Sequence, residues 1–146
     1  MMTTPLFSLG MLDDMVGFRL RRANAAALRQ LDAALADQGV TTAMFGTLEV
    51  LANNDVIAQG VVAEALGLNR STMVPIIEKL HDKGWIVRER TTEDRRTVLL
   101  RLTPEGRHAT RQLRREVAAH EARLREVLAG LDDESFMQGL RRLSEL

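Results

Sequence analysis

The stretch VVAEALGLNRSTMVPIIEKLHDKGWI, residues 61–86, decides the fold. It predicts a short helix, a turn at Gly67 and a second helix, about residues 70–82, that ends before Gly84. Asn69 suits the start of the second helix because its side chain can accept a hydrogen bond from a free backbone amide there. The side chains expected to return to the core are Val74, Ile77, Leu80 and either Met73 or Ile76. The stretch therefore predicts a helix-turn-helix unit, although purely structural helical hairpins share this pattern.

The opposite surface of the second helix is polar where the helix begins. A helix-turn-helix unit presents the first turns of its second helix to base edges in the major groove of DNA. Short polar side chains and the positive end of the helix suit that groove and the phosphates beside it. The side chains that we expect to contact DNA from this surface are Arg70, Ser71, Thr72, Pro75 and Lys79.

Two strand-like segments, residues 85–90 and 97–102, follow directly and are joined by residues 91–96. A hairpin in this place predicts a winged helix, whose projecting loop, or wing, lies along the minor groove. Arginine suits a wing because a narrow minor groove concentrates negative potential. The loop and its first strand supply four arginines, Arg88, Arg90, Arg95 and Arg96.

Long helices are predicted on both sides of this unit. Residues 8–37 carry apolar side chains at helical spacing and end at Gly39, a second helix begins at Thr41 or Thr42, and a third covers residues 58–66. Thr103 and Asp132 are suited to cap the last two helices. The apolar stripes of the first and last helices are too long for the small central unit to cover, so we expect a homodimer. The alternative is that they pack within one subunit.

Composition narrows the classes of function. The chain has 146 residues, the size of one domain, and a net charge of zero. It contains no cysteine, which excludes thiol sensing and thiolate metal sites. Residues 57–103 hold eight basic and six acidic side chains, a mildly basic segment in a neutral chain. We expect neither a signal peptide nor a membrane span, and a cytoplasmic location.

The sequence favours a binding protein over an enzyme. It has no glycine-rich phosphate loop, nucleophile elbow or zinc motif, and we expect no cofactor. His81, His108 and His120 lack metal-ligand spacing and are expected at a surface or an interface.

Several motifs resemble the MarR family of bacterial winged helix-turn-helix regulators. They are ALGLNRST, IIEKLHDKGWIVRE, TTEDRR and LRLTPEG, with TTAMFGTLEVLA before them. The resemblance implies one mainly α domain, residues 1–146, with a β-hairpin wing at about residues 85–103. Residues 41–103 would form the DNA-binding lobe, and residues 8–37 and 104–146 the dimerisation helices. It also implies a repressor that binds a pseudopalindromic operator, associates with the nucleoid through DNA, and is released by an aromatic, phenolic or other anionic lipophilic ligand.

The resemblance also suggests roles for particular residues. Arg95 is placed at the wing tip for insertion into the minor groove, while Arg88 and Arg90 would reach phosphates. Asp94 and Arg96 match a pair in which the carboxylate braces the arginine. The ligand crevice of the family lies between the dimer helices and the DNA-binding lobe, which makes candidates of Phe18, Arg22, Met44 and Phe45, with Arg22 pairing an anionic ligand.

Pro75 departs from a regular recognition helix. It removes the backbone hydrogen bond to the Ser71 carbonyl and is expected to bend the first turns. Proline here is similar to the hydroperoxide-sensing branch of the family, whose thiol chemistry the absence of cysteine excludes.

Two function classes follow from the sequence. One is a ligand-responsive DNA-binding regulator. The other is a winged-helix protein-interaction module without specific DNA binding. The arginine wing and the polar face of the recognition helix favour the first.

Overall fold

Four helices begin at side-chain caps, and all four were predicted from the sequence. The structure, a computed structural model, describes residues 7–146. Thr41, Asn69, Thr103 and Asp132 each accept a hydrogen bond from a backbone amide three residues on. Because each cap satisfies a donor that the helix leaves free, these bonds fix where the helices start.

The structure is mainly helical with a small antiparallel sheet, which confirms the predicted fold class. Its elements, in chain order, are α1 (Val16–Leu35), α2 (Thr42–Ala52), β1 (Ile57–Ala58), α3 (Gln59–Ala65), α4 (Arg70–Asp82), β2 (Ile86–Arg90), β3 (Val98–Leu102), α5 (Pro104–Val127) and α6 (Asp133–Ser144).

The prediction of one continuous helix over residues 8–37 was wrong at both ends. A 3-10 turn at Gly10–Asp14 precedes α1, and Met15 between them has extended backbone angles. Arg19 forms an ion pair with Asp13 across this break. A second 3-10 turn, Ala36–Gln38, follows α1, and Gly39 ends it with a φ of 65°, as expected of a glycine stop.

The sheet has one strand more than the sequence predicted. Its order is β1-β3-β2, with both pairs antiparallel. The extra strand β1 pairs Ile57 with Leu100 and Ala58 with Leu99. Ala58, a poor helix cap, is therefore held by the sheet, and α3 begins at the next residue without a side-chain cap.

One hydrophobic core joins the central unit to the flanking helices. Leu31 and Leu35 enter it from α1 and Leu113 enters it from α5. The central members come from α2, α3, α4 and the sheet, and include Met44, Leu48, Leu51, Val62, Met73, Ile77, Leu80, Ile86 and Leu100. Helix α4, the predicted recognition helix, therefore packs in the same core as the long helices.

The first turn of α5 lies directly against the backbone at Trp85. The Trp85 carbonyl accepts a hydrogen bond from the backbone N–H of Thr103 (3.0 Å), and the Thr103 hydroxyl donates to the Gly84 carbonyl (2.7 Å). A Cβ atom on Gly106 would lie 2.0 Å from the Trp85 carbonyl oxygen. This close approach explains the glycine of the LTPEG motif.

Polar contacts hold helix α2 at both ends. At its start, the Asp32 carboxylate of α1 accepts from the Thr42 backbone N–H (2.6 Å) and from the Thr42 hydroxyl (2.7 Å). Toward its end, the Arg114 guanidinium of α5 donates two hydrogen bonds to the Glu49 carboxylate (2.8 and 3.0 Å). The hydrogen bond from Arg114 lowers the pKa of Glu49 below its ordinary value, against the effect of burial. The α2 helix is thus tied to both long helices.

The long helices keep apolar surface that one chain does not cover. No residue of α6 is buried, and Val127 at the end of α5 is 84% exposed. A groove of about 860 Å³ runs between α1, α5 and α6. Its apolar lining includes Leu20, Ala27, Leu124, Phe136 and Leu140. Within residues 7–146, none of the helices has the length and apolar character that crossing a membrane requires.

Candidate nucleic-acid interface

The buried face of α4 consists of Met73, Ile76, Ile77 and Leu80. Both Met73 and Ile76 are buried, where the sequence predicted only one of them. Val74, which was predicted to return to the core, is instead 41% exposed. Helical spacing explains the error, because Val74 lies at the edge of the apolar stripe, beside Ile77 and one turn after Arg70.

The outer face of α4 carries the predicted contact residues at solvent-exposed positions. These are Arg70, Ser71, Thr72, Pro75 and Lys79. The Ser71 hydroxyl donates to the Asn69 side-chain carbonyl at 2.8 Å, so its oxygen remains available as an acceptor. The helix runs without interruption from Arg70 to Asp82 with Pro75 inside it.

A network of hydrogen bonds fixes the loop of the wing, residues 91–97. The Thr91 hydroxyl accepts from the Asp94 backbone N–H (3.0 Å) and donates to the Asp94 carbonyl (2.6 Å). The Asp94 carboxylate accepts from the Arg96 backbone N–H and from the Thr97 hydroxyl, both at 2.9 Å. Three of these four bonds involve backbone groups of the turn, so the loop has a defined shape although it is exposed.

Asp94 contacts Arg96 through the backbone of the arginine. Its carboxylate accepts a hydrogen bond from the Arg96 backbone N–H, which fixes the turn that carries the arginine. That hydrogen bond, followed by the one from Thr97, lowers the pKa of Asp94. Because the folded-state pKa is lowered, the contribution of the carboxylate to loop order is complete at neutral pH and is lost as the pH falls through that lowered pKa.

Replacing Asp94 with alanine should loosen the loop without unfolding the protein. The variant loses the acceptor for the Arg96 amide, whose hydrogen exchange should become several-fold faster, while the thermal midpoint stays within about 2 °C because the loop is exposed. Amide exchange followed by NMR measures the protection of Arg96, and thermal unfolding measures the midpoint. Glu93→Gln, which removes the neighbouring charge, is the control and should leave the Arg96 amide protected. Equal exchange at Arg96 in the Asp94→Ala and native proteins would contradict this role.

Arg90 and Arg95 are also connected. The Arg90 guanidinium donates to the Arg95 carbonyl (3.3 Å), so it supports the wing tip from the end of β2. The prediction assigned Arg90 to phosphate. The described contact is internal to the wing and leaves the Arg95 side chain exposed at the tip, and the assignment of Arg90 to phosphate stays a prediction.

Two adjoining clefts separate α4 from the wing. One, of about 430 Å³, is lined by Arg70, Arg88 and Arg90 together with Gln59. The lining of the other, of about 520 Å³, includes both Arg70 and Arg96. Because Arg70 lines both clefts, four of the arginines predicted from sequence lie along these two adjoining spaces between α4 and the wing. Gln59 was missed because its placement depends on the pairing of β1 with β3, a contact distant in sequence.

The four residues proposed for a ligand crevice are only partly brought together. The Arg22 guanidinium lies 5.9 Å from the centroid of the Phe18 ring, and both side chains reach the surface of α1. Met44 is 1% exposed and belongs to the core, against which the half-buried Phe45 packs. Arg22 is therefore the exposed member of the set, Phe18 and Phe45 are half-buried, and only Met44 is fully enclosed.

The histidines differ in their surroundings. His81 and His108 are exposed, as expected, whereas His120 is 2% exposed on α5. Neither ring nitrogen of His120 has a hydrogen-bond partner in the described part of the chain. Among residues 7–146, no cluster of three or more acidic or histidine side chains could hold a metal ion.

A helix-turn-helix with an arginine-bearing wing defines the class of winged helix-turn-helix proteins. The MarR family profile matches residues 38–97. A transcriptional regulatory protein designated for the hcr operon of Thauera aromatica is 33% identical over 129 residues, which are 88% of this chain and 78% of that protein. The chain therefore belongs to the MarR family, as its motifs indicated.

Solved structures agree with this assignment. The transcriptional repressor CouR, bound to a 23-mer DNA duplex, superposes with a TM-score of 0.85 at 29% identity, covering 96% of this chain and 99% of that one. CouR from Rhodococcus jostii RHA1, bound to p-coumaroyl-CoA, superposes with a TM-score of 0.78 at 26% identity and covers 93% of both chains. These relatives are regulators of transcription and not enzymes.

Proposed function

We propose that this protein is a homodimeric, sequence-specific DNA-binding regulator of transcription that represses its target until a small ligand releases it. The observation that carries the proposal is the wing. Its loop is fixed by the Asp94 hydrogen bonds and carries an exposed Arg95, and the contact face of the recognition helix α4 is exposed as well. The DNA-bound CouR structure, similar over nearly the whole chain, supports the same use of this fold.

The predicted contacts divide by their chemistry. The exposed face at the start of α4 reads base edges in the major groove, where the side chains of Arg70 and Lys79 can donate hydrogen bonds to guanine. Arg88 faces the cleft between α4 and the wing and contacts phosphate, which contributes affinity without sequence information. Arg95 enters the minor groove. Asp94 and Arg90 hold the loop that positions it.

The uncovered apolar surface of α1, α5 and α6 supports a dimer. A second copy seated on the groove between these helices would cover side chains such as Leu124 and Phe136. Two recognition helices related by a two-fold axis read half-sites about 10 bp apart on one face of the duplex. The operator is accordingly pseudopalindromic, and the protein acts in the bacterial cytoplasm, at the nucleoid.

We propose an anionic aromatic effector, free or as a thioester, that contacts α1. The paired Phe18 and Arg22 offer a ring for stacking and a cation for a carboxylate or phosphate. The p-coumaroyl-CoA complex of CouR supports this class of ligand. Binding between the long helices and the lobe would change the separation of the recognition helices, because α2 is tied to both long helices.

Replacing Arg22 with alanine should weaken the response to such a ligand. A lost charge-assisted hydrogen bond of about 1.5–3 kcal/mol shifts the half-release concentration by about tenfold or more. Release of operator DNA is followed by fluorescence anisotropy with an effector found by thermal-shift screening of aromatic acids and their thioesters. Arg21→Ala, which removes a neighbouring exposed arginine, should respond as the native protein does. An Arg22→Ala protein that keeps the full response would remove this residue from the site.

A gel shift with the DNA upstream of its own gene and of the flanking genes tests the function as a whole. We expect a specific complex that survives excess competitor DNA. If no nearby promoter gives one, the protein-interaction module becomes the better description. The arginines along the two clefts between α4 and the wing argue against that alternative, since they suit the phosphates on either side of a DNA groove.

A further inference from the structure

Two neighbouring apolar side chains stand on the exposed face of the recognition helix. Val74 is 41% exposed, and Pro75 is exposed beside it. The polar side chains of Ser71 and Glu78 lie one turn to either side of Pro75 on the same face. An exposed valine is unremarkable by itself. Here it lies in the middle of the helix that reads DNA, where each side chain determines what the helix can recognise.

The surroundings of Val74 indicate where the DNA backbone would pass. Val74 lines the cleft of about 430 Å³ together with Arg70, Arg88 and Arg90. Phosphates drawn to these arginines would place the edge of the major groove against Val74 and Pro75. Neither side chain can donate or accept a hydrogen bond, so neither can read the donors and acceptors of the bases.

One feature of the major groove suits such a surface. Thymine alone among the four bases presents a methyl group there, and apolar side chains recognise it by direct contact. A polar base edge in the same place would lose water without gaining a hydrogen bond. An apolar pair on the recognition helix therefore selects for thymine and against the other bases.

We propose that Val74 and Pro75 form a reading surface for the 5-methyl group of thymine, so that each half-site of the operator requires thymine opposite the middle of α4. This inference rests on the proposed function. It adds Val74 to the residues expected to contact DNA, and it names thymine as the base that the helix selects. Proline also lacks the amide that would otherwise donate to the Ser71 carbonyl.

Uracil differs from thymine only by the missing methyl group, which makes it a direct probe. The operator is first selected from random duplex DNA with the full-length protein. Each thymine is then replaced by deoxyuridine, symmetrically in both half-sites, and affinity is measured at fixed salt. We expect one or two positions at which the replacement weakens binding about fourfold for each methyl group that loses its contact.

Protein variants identify the residue responsible. Val74→Ala should bind the thymine operator more weakly and should no longer distinguish uracil from thymine at the sensitive position. Pro75→Ala should lose part of the same discrimination. Val56→Ala, which shortens a valine of similar exposure (42%) in the loop before β1, should keep the native sensitivity.

The possible results separate this inference from the proposed function. Native protein that binds a selected operator but tolerates uracil everywhere would overturn the reading of thymine and leave the regulator intact. Sensitivity that persists in Val74→Ala and Pro75→Ala would likewise overturn it. Failure to select any DNA would instead refute the proposed function, and the inference with it.

Discussion

Replacing Gly106 with alanine is expected to destabilise the protein by about 2–4 kcal/mol. The added Cβ would lie 2.0 Å from the Trp85 carbonyl oxygen and 2.9 Å from its carbonyl carbon. No rotation of a side chain relieves this overlap, because both groups belong to backbone. The strand end and the first turn of α5 must move apart, and the hydrogen bonds from Thr103 to Trp85 and Gly84 are strained by that movement.

In a helix, alanine is more favourable than glycine by up to about 1 kcal/mol, and this gain in stability partly offsets the cost of the overlap. Gly60→Ala makes the same exchange where the new Cβ meets nothing within 4 Å, so it serves as the matched control. Thermal unfolding at one fixed protein concentration should show a midpoint lower by about 4–16 °C for Gly106→Ala and unchanged or raised for Gly60→Ala. Similar midpoints for the two variants would mean that the close approach at Trp85 is absent in solution.

Replacing Arg95 with alanine should weaken operator binding by about 1–3 kcal/mol, or about 5- to 150-fold. The hydrogen bond from Arg90 goes to the backbone carbonyl of Arg95, which alanine retains. The Asp94 contacts with Arg96 and Thr97 are retained as well. The loop therefore keeps its shape, and the loss of affinity reports the side chain alone.

A lysine at the same position separates two kinds of contact. Insertion into a narrow minor groove favours the guanidinium, so Arg95→Lys should restore only part of the affinity, whereas a simple phosphate contact would be restored almost fully. Arg101→Ala removes the same charge from the opposite end of β3 and is the control for general electrostatic attraction. Anisotropy titrations at matched salt measure all three, and an Arg95→Ala protein of native affinity would exclude the placement of this arginine in the groove.

The features that the sequence predicted are those that depend on neighbours along the chain. Asn69 and Thr103 cap helices because their partners lie three residues away, and the hairpin joins adjacent segments. The break at Met15 was hidden because apolar spacing continues through it. The β1 strand could not be predicted because two residues are too few to show an alternating apolar pattern. Its pairing of Ile57 with Leu100 joins segments that are distant in sequence.

Within the candidate site, residue types were predictable but their partners were not. The family resemblance implied that Asp94 braces Arg96. It could not indicate that the contact is to the backbone N–H of Arg96, because side-chain and backbone partners of the same residue have the same sequence signature. Val74 was misplaced for a related reason, since a residue at the edge of an apolar stripe can face either way until its neighbours are packed.

The shared core has a consequence for how this protein can be divided. A fragment of residues 41–103 would contain the whole DNA-binding lobe. It would lack Leu31, Leu35 and Leu113, which complete the hydrophobic core from the long helices. It would also lose the Asp32 and Arg114 contacts to α2. Such a fragment would expose core side chains on two sides and should not fold alone. The DNA-binding lobe therefore cannot be moved to another protein without its long helices.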